Sequence, residues 1–118
     1  MTKVQRYTGE YLEQSLEELL DEIASSISTQ YPDSQVILFG SYARGDYNKD
    51  SDFDICVLLP QITENRSDMR VDIACTVRRG FPIPFDVILY TFDEFEQHSK
   101  SKSRLHYKIK TEGKVLHG

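Results

Sequence analysis

The chain has 118 residues, of which 39% are hydrophobic and 28% charged, and its formal net charge is −5. This length suits one compact domain and is too short for two, so residues 1–118 are predicted to form a single domain. The negative charge excludes broad binding to a nucleic-acid backbone, which attracts basic proteins.

Helices and strands are predicted to alternate in the first half of the chain. Apolar residues at helical spacing predict a helix that begins at Leu12 and ends before Pro32, because proline disfavours helical geometry at the preceding residue. Two short apolar runs follow, at residues 36–39 and 53–59, and each is typical of a buried strand.

The second half of the chain continues this order. A helix, a strand, a broken helix and a final strand are predicted at residues 62–77, 85–90, 91–109 and 114–117. A basic turn and Gly80 are expected to end the first of these helices. The spacing of Thr91 and Glu94 is that of a capping box, which opens the next helix. We therefore predict an α+β fold with α/β-type element order, in which helices flank a mixed sheet of about four strands.

The remaining composition points to a reducing compartment. No stretch approaches the roughly 18 apolar residues of a membrane span, and residues 1–9 lack the apolar segment of a signal peptide. Cys56 and Cys75 lie in apolar runs without the spacing of a metal site. We expect a cytoplasmic protein that does not bind membranes and that keeps both cysteines as reduced core thiols.

Three aspartates stand where apolar residues are expected. Asp52 and Asp54 lie at the start of one predicted strand, and Asp86 lies near the start of a later one. Burying a carboxylate is costly unless it is paired or binds a metal. Residues two apart in a strand project to the same side, so Asp52 and Asp54 can hold one cation, and a neighbouring Asp86 strand would add a third carboxylate. Oxygen ligands without nearby His or Cys favour Mg²⁺ or Mn²⁺.

A second polar feature follows the first predicted strand. Gly40 allows the backbone to approach a ligand closely, and the Ser41 hydroxyl and nearby N–H groups can donate to phosphate oxygens. Arg44 adds a positive charge at this turn, or alternatively pairs with Asp46 or Asp50 on the surface.

Taken together, these motifs resemble those of the minimal nucleotidyltransferases of the DNA polymerase β superfamily. The matching residues are Gly40, Ser41, Ala43, Arg44, Gly45, Ser51, Asp52, Asp54 and Asp86. Gly-Ser and Asp-x-Asp at this gap, followed by a third aspartate in a later strand, form a specific combination. The resemblance covers nearly the whole chain and implies one minimal nucleotidyltransferase domain with a polymerase β-like fold.

The resemblance also implies a reaction, in which AMP moves from ATP to a hydroxyl and pyrophosphate leaves. Asp52 and Asp54 would hold two Mg²⁺ or Mn²⁺ ions, and Asp86 would ligate one of them and help to deprotonate the acceptor. Gly40 and Ser41 would hold the β- and γ-phosphates, with Arg44 nearby. Such a two-metal arrangement stabilises both the attacking and the leaving oxygen of an in-line displacement.

The stand-alone members of this family resemble antitoxins that transfer AMP to a tyrosine of a small helical HEPN-type toxin. Because the chain ends soon after the catalytic core, we expect such a partner to supply the acceptor, and an acidic protein can dock on a basic one. Three alternatives remain open at this point. They are a degenerate antitoxin that acts by complex formation alone, a homodimeric enzyme that modifies small molecules, and a non-enzymatic regulator with a chance motif.

Overall fold

A mixed β-sheet with helices on both faces organises residues 2–118, the part of the chain that the computed structural model describes. In chain order, the elements are β1 (Lys3–Gln5), β2 (Tyr11–Ser15), α1 (Leu16–Gln30), β3 (Gln35–Phe39), α2 (Ser41–Arg44), β4 (Phe53–Leu59), α3 (Arg66–Thr76), β5 (Phe85–Thr91), α4 (Phe92–His98), α5 (Leu105–Glu112) and β6 (Lys114–His117). No helix in this part of the chain is long and apolar enough to cross a membrane.

The main sheet has the strand order β5-β4-β3-β6. Strand β3 is antiparallel to both of its neighbours, whereas β4 and β5 are parallel. This arrangement confirms the predicted mixed sheet of four strands with flanking helices. Strands β1 and β2 form a separate antiparallel hairpin.

The two faces of the main sheet bury cores of unequal size. The larger core packs α1 and α3 against one face, with Ile23 and Ile73 fully buried. The smaller core lies on the other face and consists of Ile37, Cys56, Leu58 and Ile109. Because strand side chains alternate between faces, Asp54 projects to the same side as Cys56, away from the larger core.

The first helix begins later than predicted. Residues 11–15 form β2, and α1 starts at Leu16 rather than at Leu12. The hydroxyl of Ser15 accepts the N–H of Glu18 at 3.2 Å and so fixes the start of the helix. Leu12 shares the apolar period of the helix, but it packs on the core as part of the hairpin.

The second helix is shorter at both ends than predicted. Helix α3 starts at Arg66 because Asn65 caps it through a 3.1 Å bond from the N–H of Asp68, and Ile62 packs on the core from the preceding loop. The helix ends at Thr76, so the predicted basic last turn and glycine stop are wrong. Gly80, with φ at +80°, instead belongs to the turn that leads towards β5.

The third helical segment forms as predicted. The Thr91 hydroxyl accepts the N–H of Glu94, and the Glu94 carboxylate accepts the N–H of Thr91, which completes the capping box. The segment breaks after His98 and resumes at Leu105.

The two cysteines differ, contrary to the expectation of two core thiols. Cys56 is buried and Cys75 is exposed. Residue 75 lies on α3, outside the stripe of that helix that packs on the sheet. Burial raises the pKa of the Cys56 thiol to about 12, so this side chain stays protonated and unreactive at neutral pH.

Alkylation of the folded protein at neutral pH should therefore modify Cys75 and spare Cys56. Intact-mass analysis after iodoacetamide treatment should show a single adduct, and the same treatment in denaturant should add the second. Modification of Cys56 at the rate of Cys75 in the folded protein would contradict the packing described.

Candidate active site

The three aspartates converge at one end of the sheet. Asp54 and Asp86 are direct register partners on the parallel strands β4 and β5. Neighbouring strands lie about 4.8 Å apart, and register partners project to the same face, so the two carboxylates are adjacent. Asp52 precedes Asp54 by two residues, at the mouth of the same strand. The strand that carries Asp86 thus lies beside the strand of Asp54, which is the condition under which a third carboxylate was expected at the site.

The environment of Asp54 disfavours its negative charge. This side chain is half-buried, whereas Asp52 and Asp86 are exposed. Burial raises the pKa of Asp54, and the nearby Asp86 and Asp52 carboxylates raise it further, with Arg44 acting weakly in the opposite direction. The positive charge of Arg44 therefore does not balance the negative charge of the aspartates.

The Asp54 side chain packs against the backbone of Gly40 and leaves no space for a Cβ at that position. The φ of Gly40 is +75°, and a Cβ at this position would overlap with Asp54 Oδ2 and lie 3.0 Å from Asp54 Cγ. Strand β3 ends at Phe39, the register partner of Asp54, so the backbone turns away beside the carboxylate. Gly40 thus gives the Asp54 carboxylate room, a role that adds to the ligand approach predicted from the sequence.

The one-turn helix α2 presents the Ser41 backbone beside this carboxylate. The first N–H groups of a helix have no acceptor within the helix and can donate to a ligand. The ring of Tyr42 fixes α2 to the sheet, because it stacks on Tyr47 at 4.3 Å and meets Phe53 edge-on at 4.4 Å. Tyr42 and Tyr47 are therefore packing residues.

Arg44 points from the end of α2 towards two carboxylates. Its Nε lies 3.2 Å from Asp46 Oδ2, and its Nη1 lies 3.7 Å from Glu112 Oε2. The sequence offered Asp46 and Asp50 as partners, and the structure selects Asp46. Glu112, at the end of α5, was not predicted, because no local pattern links residues so far apart in the chain.

The site offers the oxygen ligands that a hard divalent cation prefers. Within residues 2–118, no group of three or more His, Cys, Asp or Glu side chains is arranged so that it could hold a metal ion by itself. The aspartates nevertheless supply only oxygen donors, and the missing side chain of Gly40 leaves space for Asp54 Oδ2. Mg²⁺ and Mn²⁺ favour such ligands and would relieve the repulsion that raises the pKa of Asp54. The residues present therefore fit a Mg²⁺ or Mn²⁺ ion.

Comparison with known families decides the class of the protein. The model of the nucleotidyltransferase domain family matches residues 20–111, which include every candidate site residue. The chain belongs to this family. The resemblance inferred from the Gly-Ser and Asp-x-Asp motifs is confirmed, and so is the enzyme class.

Two relatives of this nucleotidyltransferase come from Methanocaldococcus jannaschii, and both are named as protein adenylyltransferases. MJ0141 is 31% identical over 74 residues, which are 61% of this chain and 72% of the relative. MJ0604 is 28% identical over 105 residues, which are 86% of this chain and 97% of the relative.

Solved structures share the fold. A chain of a toxin–antitoxin structure with AMP-PNP is 24% identical, has a TM-score of 0.62, and is matched over 84% of this chain and 73% of that chain. A chain of a complex between a tri-AMPylated HEPN toxin of Shewanella oneidensis and an MNT antitoxin is 23% identical, with a TM-score of 0.51 over 87% and 73% of the two chains. At this identity the likeness establishes a polymerase β-like nucleotidyltransferase fold.

A groove of about 330 Å³ lies beside β5, the outer strand of this nucleotidyltransferase. The groove is lined by Ser67, Arg70, Val71, Ala74, Phe85, Asp86 and Val87. Arg70 Nε donates to the Val87 carbonyl at 2.7 Å and so covers part of the open edge of β5. The groove was not predicted from the sequence, since it depends on how α3 crosses β5.

Replacing Gly40 with alanine should damage the site, whereas the same change at Gly45 should not. Both glycines have positive φ, so each substitution should strain the backbone, by about 1–2 kcal/mol at the left-handed Gly45 and by more at Gly40, whose ψ of −157° lies in a region almost exclusive to glycine. Only the Gly40 Cβ meets a site residue, because nothing lies within 4 Å of a Cβ at Gly45. Calorimetry should show at least about tenfold weaker Mg²⁺–ATP binding, or 1.4 kcal/mol, for Gly40→Ala alone. Equal losses in the two variants would refute the role given to Gly40.

Proposed function

We propose that this nucleotidyltransferase transfers AMP from ATP to a tyrosine hydroxyl of a HEPN-type toxin, and that it acts as the antitoxin of that pair. One observation carries the proposal: Asp54 and Asp86 face each other in register, beside the turn that begins at Gly40. Two carboxylates close to a turn whose N–H groups could donate to phosphate support nucleotidyl transfer at this point.

Most of the site residues would bind the nucleotide and its metal ions, and one would act on the acceptor. Asp52 and Asp54 would hold two divalent cations, and Asp86 would ligate one of them. The backbone and hydroxyl of Ser41, next to Gly40, would donate to the β- and γ-phosphates. Arg44, at the far end of α2, would bind a phosphate oxygen in exchange for its surface carboxylates. When bound, Mg²⁺ or Mn²⁺ would neutralise the phosphate charge and stabilise the departing pyrophosphate.

Asp86 faces the acceptor in this assignment. Asp86 is exposed and projects with Asp54 from the face of the sheet opposite α3, where a partner can place a tyrosine. The phenol oxygen would attack the α-phosphorus of ATP, the bond from that phosphorus to the β-phosphate oxygen would break, and the phenol proton would pass to Asp86. The products would be a tyrosine–AMP phosphodiester and pyrophosphate.

The names of relatives and the charge of the chain support the proposal of a toxin partner. Two relatives are named as protein adenylyltransferases, and one fold neighbour comes from a complex that contains an AMPylated HEPN toxin and an MNT antitoxin. The net charge of −5 favours docking on a basic protein, as an RNA-cutting toxin is expected to be. The AMP-PNP in the other toxin–antitoxin structure supports ATP as the donor of AMP.

The neighbouring aspartates Asp50 and Asp52 provide a matched test. With a HEPN-type toxin, ATP and Mg²⁺, the wild-type chain should add AMP to the toxin, as followed by intact mass. Asp52→Asn, Asp54→Asn and Asp86→Asn should each slow the transfer by about 100-fold or more. Asp50→Asn removes the same charge from an exposed residue that pairs with Lys49, so transfer should persist.

The same variants separate catalysis from inhibition by complex formation. If AMP transfer protects the cell, Asp54→Asn should bind the toxin yet fail to neutralise it. Full neutralisation by this variant, or an unlabelled toxin with the wild-type chain, would contradict the proposed function.

A further inference from the structure

Tyr7 lies at the tip of the hairpin formed by β1 and β2. Its side chain is 64% exposed. The turn is closed by bonds from the N–H of Arg6 to the Glu10 carbonyl and from the N–H of Gly9 to the Arg6 carbonyl, both 2.8 Å long. The hairpin is anchored because Val4 is fully buried in the larger core. The tip therefore holds an exposed phenol on a fixed support.

The hairpin tip borders the candidate active site. A pocket of about 160 Å³ is lined by Tyr7, by residues 49–52 and by residues 82–84. These two segments lead into β4 and β5, and the N–H of Phe53 donates to the Pro84 carbonyl at 3.0 Å where they meet. Tyr7 and Asp52 thus share one pocket, at the strand ends that carry the aspartates.

A contact from Lys49 links the tip to this loop. Its Nζ lies 3.5 Å from the Tyr7 carbonyl and 3.3 Å from Asp50 Oδ1. The ammonium group therefore bridges the hairpin and the segment that ends at Asp52.

We propose that Tyr7 is itself an AMP acceptor, modified within its own chain when no toxin occupies the site. The inference rests on the proposed function, because it uses the same reaction and the same acceptor group. The Tyr7 oxygen attacks the α-phosphorus of ATP, the bond to the β-phosphate oxygen breaks, pyrophosphate leaves, and the phenol proton passes to Asp52, the site carboxylate that shares the pocket of Tyr7. The product is a Tyr7–AMP phosphodiester at the rim of the site, where it would compete with the toxin for space.

Tyr11 supplies a matched comparison within the hairpin. It is exposed to a similar extent, at 68%, and lies four residues from Tyr7. It lines a different pocket, together with Lys3, Gln5 and residues 47–49, which contains none of the three aspartates. If exposure alone decided which tyrosine is modified, both would carry AMP. If the shared pocket with Asp52 decides, only Tyr7 would carry it.

The test uses the full chain alone with ATP and Mg²⁺. Intact mass should show one added AMP, and peptide mapping should place it on Tyr7. Tyr7→Phe should lower the labelling to the background of Asp86→Asn, and Tyr11→Phe should label as the wild type does. The fraction labelled per unit time should not change when the protein is diluted, since donor site and acceptor share one chain.

A parallel reaction with the toxin separates this inference from the proposed function. Tyr7→Phe keeps the aromatic ring, so it should still label the toxin. A labelled toxin beside an unlabelled chain would overturn the role of Tyr7 and leave the proposed function standing. AMP on Tyr11, or a labelling rate that rises with protein concentration, would also overturn it. Absence of label from both proteins would refute the proposed function itself.

Discussion

The register between β4 and β5 is the constraint on which the site depends. It places Asp54 opposite Asp86, and it also pairs Ile55 with Val87 inside the larger core. A shift of one residue would turn the carboxylates into that core and the apolar side chains outwards. Burial of the apolar partners therefore stabilises the same register that brings two like charges together. The free energy of apolar burial thus offsets the repulsion between the two carboxylates.

The unequal coverage of the two sheet faces explains why the site is open. The face that carries Asp54 continues into Cys56 and Leu58, which Ile109 of α5 covers. Helix α2 has a single turn and is fixed by Tyr42, so it borders the carboxylates without closing over them. One face of one sheet is thus apolar under α5 and acidic at its open end, where a triphosphate and an acceptor can enter from outside.

The sequence predicted what depends on local pattern. The strand around Asp54, the capping box at Thr91 and the family resemblance follow from residues near one another in the chain. The hairpin of β1 and β2 was missed because its strands are short and Leu12 fits a helical period. The contact of Glu112 with Arg44 and the need for Gly40 beside Asp54 are set by tertiary packing, which has no local signal.

The thermal stability of Asp54→Asn tests the central claim, that the aspartates form a repulsive site which a cation relieves. Because the pKa of Asp54 is raised in the folded state, its stabilising contribution is present at low pH and is lost as pH rises through that value. At neutral pH without divalent cations, the variant should have a higher Tm than the wild type, and the difference should shrink in acid. Mn²⁺ or Mg²⁺ should raise the Tm of the wild type alone. A lower Tm for the variant at neutral pH, or no response of the wild type to either cation, would contradict this account.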